Sequence, residues 1–348
     1  MPVFFPDATR GFVRTLDMVD VVNTKTPGVL VNTLHLYMSP GEVVIKKALG
    51  VRGFMHWSGA IISDSGGFQV GSLIKKNPKL GHIDDTGAHF FLNGKKTLLT
   101  PEESIRFQMS LKVDMVVTLD DFDAPGASEK ERLITVDRTI SWARRSKAEF
   151  VRICKKEGLT AKNRPYILGV VQGGRSKRLR KYCTQELLKI GFDGLGYGGE
   201  EKIGGIKVDY SLAKYIANLV PENYFLYALG VGKPEDVVAL SKLGYGIFDC
   251  VLPTRDARHK RLYVYNASSI DKIDVTRKNF YNYLVPDKAK YAMDLSPVSK
   301  ACDCLLCKNY SKAYLHHLFK SYDAGALRLA SIHNLRFYAL LIEKLRGE

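Results

Sequence analysis

The feature that most limits the fold of this 348-residue chain is a series of eight short apolar runs. Amphipathic stretches such as Glu129–Lys156 and Pro234–Leu243 separate several of them. Short continuous apolar runs are typical of parallel strands covered on both faces, and their alternation with helices indicates βαβ units. The predicted strands are Val3–Phe5, Val29–Asn32, Ala60–Ser63, Met115–Leu119, Tyr166–Val171, Phe192–Tyr197, Phe225–Leu229 and Gly246–Cys250. Eight such units predict an α/β fold of the (β/α)8 TIM barrel type, with a doubly wound open sheet as the alternative.

The alternation of strands and helices stops after Arg261. The segment up to about Ala301 is irregular or strand-like, and a cluster of cysteines and two predicted helices follow it. We therefore predict a barrel catalytic domain over residues 1–265 and a C-terminal zinc-binding helical subdomain over 266–348, packed on the barrel. A long insertion, Gly71–Leu99, follows the third strand, and its Asn93-Gly94 pair predicts a hairpin turn.

The charge of the chain points to an anionic partner. It carries 52 basic and 36 acidic residues, a formal net charge of +16. A surplus of this size suits a polyanion such as nucleic acid, because lysine and arginine contacts to phosphates release counterions. The sequence has neither an apolar run of 18 residues nor the pattern of a signal peptide, so we expect a cytoplasmic protein without a membrane segment.

Three of the six cysteines predict a metal site. Cys302, Cys304 and Cys307 lie within six residues, and thiolates with one imidazole select zinc. The candidates for the fourth ligand are His316, His317 and His333. We predict His333, because the final helix can fold back, whereas the other two lie on a helix that begins directly after the cysteines. Four protein ligands fill the coordination shell, so this would be one structural Zn²⁺ per chain.

Polar residues follow most of the predicted strands at the point where each strand ends. In a barrel of parallel strands, these carboxyl ends meet at one face, and catalytic residues lie there. We therefore expect the active site among these side chains and backbone groups. The residues concerned are Asp64, Asp120, Asp121, Gln172, Gly198, Gly199, Gly230 and Asp249.

Several of these strand ends belong to longer motifs. The motifs are Asp64-Ser-Gly-Gly-Phe-Gln69, Val171-Gln-Gly-Gly174, Leu229-Gly-Val-Gly232 and Phe248-Asp-Cys-Val-Leu-Pro-Thr-Arg255, with the three cysteines and a histidine near the end of the chain. In this order, and from about Pro2 to Lys344, the chain resembles the tRNA-guanine transglycosylase family. The resemblance implies a barrel with a zinc subdomain. It also implies replacement of guanine at the wobble position of the tRNA anticodon by a 7-deazaguanine base.

The resemblance further implies roles for single residues. Asp249 would be the nucleophile that forms a covalent RNA intermediate, and Asp64 the general acid/base. A carboxylate suits the cationic character that develops at the anomeric carbon. The implied base-binding residues are Asp120, Gln172, Gly199, Phe68, Leu229 and Gly230, and Arg255 and Arg258 would hold the anticodon loop. Family members commonly act as homodimers, so we expect one here.

The chain departs from the family pattern in two places, and the second departure leaves the substrate base open. The chain begins almost at the first strand, so we expect no N-terminal strands to cover the bottom of the barrel. Glu200 and Glu201 directly follow Gly199 and could face a cationic aminomethyl group. The base could therefore be 7-aminomethyl-7-deazaguanine, its cyano precursor or queuine.

Three other functions compete with this prediction. A related enzyme could insert a 7-deazaguanine into DNA, although Arg255 and Arg258 favour the tRNA loop. A non-catalytic RNA-binding partner subunit is disfavoured, because it should have lost the carboxylates at positions 64, 120 and 249, which are present. A zinc hydrolase would need an open coordination position, which three thiolates and one histidine do not leave.

Overall fold

The computed structural model describes residues 2–92, 94–124, 126–198, 200–202 and 205–348. Its central element is an eight-stranded parallel sheet that closes nearly completely into a barrel. In their order around the barrel the strands are β1 (Val3–Pro6), β13 (Tyr245–Cys250), β12 (Phe225–Leu229), β9 (Gly194–Gly198), β8 (Tyr166–Val171), β7 (Met115–Val117), β3 (Ala60–Ser63) and β2 (Gly28–Val31).

Within the described ranges, three smaller antiparallel sheets lie outside the barrel. They comprise β4 (Gly81–Ile83), β5 (Ala88–Leu92) and β6 (Lys95–Leu99), then β10 (Glu200–Lys202) with β11 (Gly205–Lys207), and β14 (Leu262–Tyr265) with β15 (Tyr281–Leu284).

The helices surround the barrel and extend beyond its last strand. In chain order they are α1 (Met18–Asn23), α2 (Thr33–Met38), α3 (Glu42–Lys47), α4 (Val51–Met55), α5 (Gly67–Lys76), α6 (Pro101–Ser110), α7 (Glu129–Lys156), α8 (Lys177–Ile190), α9 (Tyr210–Ala217), α10 (Pro234–Ser241), α11 (Leu252–Arg258), α12 (Leu305–Asn309), α13 (Lys312–Lys320) and α14 (Ala324–Arg346).

The edge strands β1 and β2 are joined where the barrel closes. One parallel bridge pairs Asp7 with Leu30, and the Ala8 amide donates to the Leu30 carbonyl at 2.7 Å. Alternate residues of the strands fill the interior, as period-two side chains require. The buried residues of this inner cluster are Phe5, Leu30, Ile62, Met115, Val117, Leu168, Val170 and Tyr227.

A buried arginine on α8 fixes the ends of two neighbouring strands. The guanidinium of Arg180 donates to the carbonyl oxygens of Val171 at 2.5 Å, Gly174 at 2.9 Å and Gly198 at 2.8 Å. Its side chain is almost fully buried. Since buried carbonyls without donors are costly, this one side chain holds the ends of β8 and β9 in place.

The structure confirms the predicted barrel and excludes the open sheet. All eight predicted strands are present, each within two residues of its predicted bounds at either end. The predicted helix Glu129–Lys156 is α7, and Pro234–Leu243 contains α10. The insertion after β3 forms the end of α5 and the sheet β4–β6. Asn93 lies outside the described residues, while Gly94 has φ +77°, a conformation that favours glycine.

The C-terminal part begins with the β14–β15 hairpin and ends in the long helix α14. This helix packs against α11, α12, α13 and β14, and also against β1 of the barrel. The division into domains at residue 265 stays a prediction. In the described part of the chain, no helix combines the length and apolar character needed to cross a membrane.

We expect Arg180→Ala to lower the free energy of unfolding by about 3–5 kcal/mol, because it leaves three buried carbonyl groups without a donor. Arg178, on the same helix, is 67% exposed and pairs with Glu129, so Arg178→Ala should cost less than about 1 kcal/mol. Urea denaturation of both variants measures the difference. Equal effects of the two changes would contradict the role given to Arg180.

Candidate active site at the barrel mouth

The carboxyl ends of the barrel strands bring the predicted polar residues to one opening, the barrel mouth. Asp249 lies in β13, Gly230 and Gln172 directly follow β12 and β8, and Asp64 directly follows β3. Asp120 comes three residues after β7. The strands converge here because neighbouring parallel strands end at the same face of a barrel.

Asp249 is buried in the barrel mouth and held in one orientation. The backbone N–H of Gly230 donates to its Oδ1 at 2.8 Å. Gly230 has φ +68°, a conformation that glycine adopts easily, so the loop can turn its amide toward the carboxylate. Burial raises the pKa of Asp249 to about 6, while the Gly230 amide and the Tyr227 hydroxyl lower it. The group is therefore ionised at neutral pH and only partly stabilised by donors.

Asp64 is fixed by four donors from two strand ends. Thr33 N donates to Oδ1 at 2.8 Å, Gly66 N to Oδ1 at 3.1 Å and Gln69 Nε2 to Oδ2 at 3.2 Å. Asn32 Nδ2 also donates to Oδ2. Burial nevertheless raises the pKa of Asp64 to about 6. A carboxyl group with such a pKa can both release and accept a proton near neutral pH.

A third carboxyl group, that of Asp120, lies across the mouth from Asp249 and after the strand next to that of Asp64, because β7 is four strands from β13 and adjacent to β3. Asp120 accepts a hydrogen bond from Gln172 Nε2 at 2.7 Å, and burial raises the pKa of Asp120 to about 6. Its neighbour Asp121 is fully engaged in ion pairs, with Lys75 at 3.1 Å and Arg138 at 2.6 Å. The Asp120–Gln172 pair therefore presents a carboxyl group and an amide to a ligand, whereas Asp121 supports the fold.

Two apolar side chains border the mouth. Phe68 is the second residue of α5 and is 47% exposed. The centroid of its ring lies 5.3 Å from that of the Phe122 ring. Leu229 ends β12 and packs at the edge of the barrel interior. An exposed aromatic ring beside hydrogen-bonding groups such as Asp120 and Gln172 can stack on a planar base. Gly199, the remaining predicted base-binding residue, lies outside the described residues.

A further carboxyl group at the mouth, that of Asp7, was not predicted from the sequence. It directly follows β1, and burial raises the pKa of Asp7 to about 8, with the charges of Asp249 and Asp64 adding to this effect. Asp7 could have been identified from the sequence, because it closely follows a predicted strand, as Asp64 does. Asn32 and Gln69 were also missed, because only the folded chain places them beside Asp64.

A group of arginines lies next to these carboxyl groups. Arg255 and Arg258 are on α11, and the charge of Arg255 lowers the pKa of Asp7. Burial and the charges of Arg14 and Arg255 lower the pKa of Arg258. The Nη1 atom of Arg258 is buried without a hydrogen-bond partner among the described residues. Three guanidinium groups together, one of them unsatisfied, favour a phosphate ligand.

The predicted metal ligands come together in the C-terminal part. The ligand atoms of Cys302, Cys304, Cys307 and His333 lie within 4.8 Å of one another, and all four side chains are buried. His333 Nδ1 is 3.5 Å from Cys304 Sγ and 3.3 Å from Cys307 Sγ. These distances are near the edge of about 3.6 Å expected between sulfur and nitrogen in a tetrahedral zinc site. The cluster could therefore hold a metal ion and fits a zinc site.

The geometry also distinguishes between the candidate histidines. His333 Nε2 lies 2.8 Å from the Tyr263 carbonyl oxygen and so carries the proton, which leaves Nδ1 free to bind a metal. His316 instead contacts the Pro286 carbonyl at 2.9 Å, and His317 is exposed. Among the three candidates, only His333 joins the cysteines.

The final helix connects this cluster to the arginines. Asn334, next to His333, donates to the carbonyls of Pro253 at 2.9 Å and Arg261 at 3.0 Å, and it accepts from Tyr263 N at 3.1 Å. Pro253 belongs to α11, the helix that carries Arg255 and Arg258. The position of these two arginines therefore depends on how α14 packs against α11.

Comparison with known proteins agrees with this geometry. The family profile described as Queuine tRNA-ribosyltransferase matches residues 1–348. Proteins of that name from Buchnera aphidicola subsp. Schizaphis graminum and Shewanella sp. strain W3-18-1 are each 37% identical over 99% of this chain, which covers 88% and 86% of their lengths. The protein of that name from Aliivibrio salmonicida is also 37% identical over 99% of the chain and 85% of its own length. The chain therefore belongs to the queuine tRNA-ribosyltransferase family of pentosyltransferase enzymes.

Proposed function

We propose that this enzyme exchanges guanine at the wobble position of a tRNA anticodon for a 7-deazaguanine base through a covalent intermediate on Asp249. The observation that carries this proposal is the arrangement of the mouth. Asp249 and Asp64 are buried and both raise the pKa of Asp7, and the hydrogen-bonded Asp120–Gln172 pair lies across the mouth from Asp249. Membership of a tRNA-modifying family supports the choice of RNA.

Two displacements at the anomeric carbon account for the exchange. In the first, the Asp249 carboxylate forms a bond to C1′ while the bond from C1′ to guanine N9 breaks, and Asp64 supplies the proton that guanine takes up. In the second, N9 of the incoming base attacks C1′, its proton passes to Asp64, and the Asp249–C1′ bond breaks. Two inversions give overall retention of configuration.

The remaining residues bind and orient the two substrates. Asp120 and Gln172 are proposed to hydrogen-bond the edge of the base, with Gly199 and Gly230 contributing backbone groups. Phe68 and Leu229 would cover its two faces. Arg255 and Arg258 would hold phosphates of the anticodon loop, which agrees with the unpartnered Nη1 of Arg258.

The incoming base is proposed to be 7-aminomethyl-7-deazaguanine or queuine. Incubation of tRNA carrying labelled guanine with each base in turn, and with the cyano precursor, identifies the base by release of label. If none of the three bases causes release of labelled guanine, the proposed substrate class is wrong. The expectation of a homodimer stays a prediction that rests on the family resemblance.

The metal is proposed to be a structural zinc held by Cys302, Cys304, Cys307 and His333. Its role there would be confined to crosslinking α14 with α12 and the segment directly before it, because four protein ligands leave no open position. Through Asn334 this crosslink supports α11 and its arginines.

We expect Asp249→Asn to lower the rate of guanine release about 10⁴-fold or more, because an amide cannot capture the anomeric carbon. Binding of the tRNA should persist, since Arg255 and Arg258 are unchanged. The measurement is single-turnover release of labelled guanine. Asp271→Asn, an exposed aspartate far along the chain, is the matched control and should leave the rate unchanged. An active Asp249→Asn protein would contradict the proposal.

Below pH 6, the pH dependence of the first displacement should follow the ionisation of Asp249, because the proton donor Asp64, whose pKa is also raised to about 6, is protonated there. Since the pKa of Asp249 is raised to about 6, the carboxylate is present above this pH and becomes protonated below it. We expect the single-turnover rate at saturating enzyme to fall about tenfold per pH unit below pH 6. A rate independent of pH from 6 down to 4.5, with tRNA binding intact, would contradict this assignment.

Removal of the metal should weaken both the fold and the binding of tRNA. We expect His333→Ala to lower the free energy of unfolding by roughly 3 kcal/mol or more and to abolish binding of zinc. His316→Ala on α13 is the matched control, because that histidine does not join the cluster. Metal analysis and thermal unfolding test this. A His333→Ala protein with one tightly bound zinc would refute the ligand assignment.

A further inference from the structure

Asp7 faces the same interior as Asp249, one layer closer to the opening. Phe5 pairs in register with Asp249 in the parallel β1–β13 pair, and Phe5 belongs to the barrel interior. Asp7 follows two residues later, and alternate residues of a strand point to the same side. On its other side Asp7 bridges to Leu30, also an interior residue. The carboxyl group of Asp7 therefore points into the mouth, above Asp249.

The carboxyl group of Asp7 differs from its neighbours in having no partner. Asp64 accepts four hydrogen bonds and Asp249 is held by the Gly230 amide. Across the described part of the chain, no hydrogen bond or ion pair reaches the Asp7 side chain, although the charge of Arg255 acts on it. A partly buried carboxyl group without a partner is costly unless a ligand satisfies it.

The order of strands around the barrel indicates which part of a substrate reaches Asp7. In the ring of eight, β1 is four strands away from β8 in either direction, so Asp7 lies across the mouth from Gln172. Asp120 and Gln172, which are proposed to hydrogen-bond the edge of the base, follow β7 and β8. Asp249 is on β13, the strand next to β1, so a nucleotide whose base lies against that pair and whose C1′ lies at Asp249 has its sugar on the side of the mouth formed by β13 and β1.

We propose that Asp7 binds the 2′-hydroxyl group of the ribose whose base is exchanged and thereby selects a ribonucleotide at the reaction site. This inference rests on the proposed function, because it requires that C1′ reacts at Asp249. The 2′-hydroxyl is the sugar oxygen attached to the carbon next to C1′. It is also the group by which a protein distinguishes RNA from DNA at a given position.

The protonation of Asp7 suits this contact. Burial and the two neighbouring carboxylates raise the pKa of Asp7 to about 8, so the group is mostly neutral at pH 7 and adds no third negative charge to the mouth. A neutral carboxyl group can donate to the hydroxyl oxygen and accept from the hydroxyl hydrogen. Hydrogen bonds to the hydroxyl beside the reacting carbon strengthen in the transition state of glycoside cleavage, so the contact should act on the rate.

The test compares the rates of guanine release by the wild-type enzyme and by an Asp7 variant on two substrates. The substrates are RNA stem-loops with labelled guanine, identical except for ribose or 2′-deoxyribose at the target nucleotide. We expect the wild-type enzyme to prefer ribose, and Asp7→Ala to slow release from the ribose substrate about 10- to 100-fold while changing the deoxyribose rate less than about threefold. Asp7→Val, which keeps most of the volume, should give the same pattern. Asp271→Ala serves as the exposed aspartate control.

Several results would overturn the inference. One is a wild-type enzyme that does not distinguish the two substrates, and this outcome requires no variant to fold. Another is an equal loss on both substrates in a folded variant, which would indicate that Asp7 only supports Asp249 or the barrel seam. Thermal unfolding checks folding, since loss of an unpartnered acid should not lower the unfolding temperature. If the wild-type enzyme releases no guanine from either substrate, the proposed function fails rather than the role of Asp7 alone.

Discussion

The cost of burying carboxyl groups governs the chemistry of this enzyme. Closure of the parallel sheet brings Asp7, Asp64 and Asp249 into one opening, away from bulk water. Backbone amides at strand ends offset part of the cost, as Gly230 does for Asp249 and Thr33 for Asp64. The offset is incomplete, so the pKa values of Asp64 and Asp249 are raised to about 6. Groups with such values can exchange protons near neutral pH, which ordinary exposed aspartates do poorly.

The rigidity of the opening depends on contacts that lie beneath it. Arg180 joins the ends of β8 and β9, so the carbonyls next to Gln172 keep their positions. On the other side, Asn334 of α14 hydrogen-bonds to α11, and the metal proposed at the cysteine cluster would fix α14 through His333. The cluster is distant in sequence from the barrel mouth, yet it supports the arginines proposed to hold tRNA. A structural metal can in this way contribute to binding without contacting the substrate.

The sequence was most informative where a local pattern determines structure. Short apolar runs predicted each barrel strand, and the helix Glu129–Lys156 was predicted with its bounds. Strand-end polarity located most of the mouth, although the roles of those residues stay proposals. Contacts that depend on closure could not be predicted, because they join positions far apart in the chain. The place of Asp7 beside Asp249 became visible only in the folded chain, where β1 pairs with β13 and Asp7 bridges to Leu30. The choice of His333 over His316 and His317 was made from the sequence, and the cluster confirms it.

The proposed mechanism depends on a bond between Asp249 and the ribose of the target nucleotide. The most direct measurement is to mix the enzyme with the RNA stem-loop without an incoming base, denature it rapidly, digest it with protease and identify the crosslinked peptide by mass spectrometry. The account predicts a nucleotide without its base attached to the peptide that contains Asp249. An enzyme that releases guanine but carries the sugar on another residue, or carries none at any time during turnover, would contradict it.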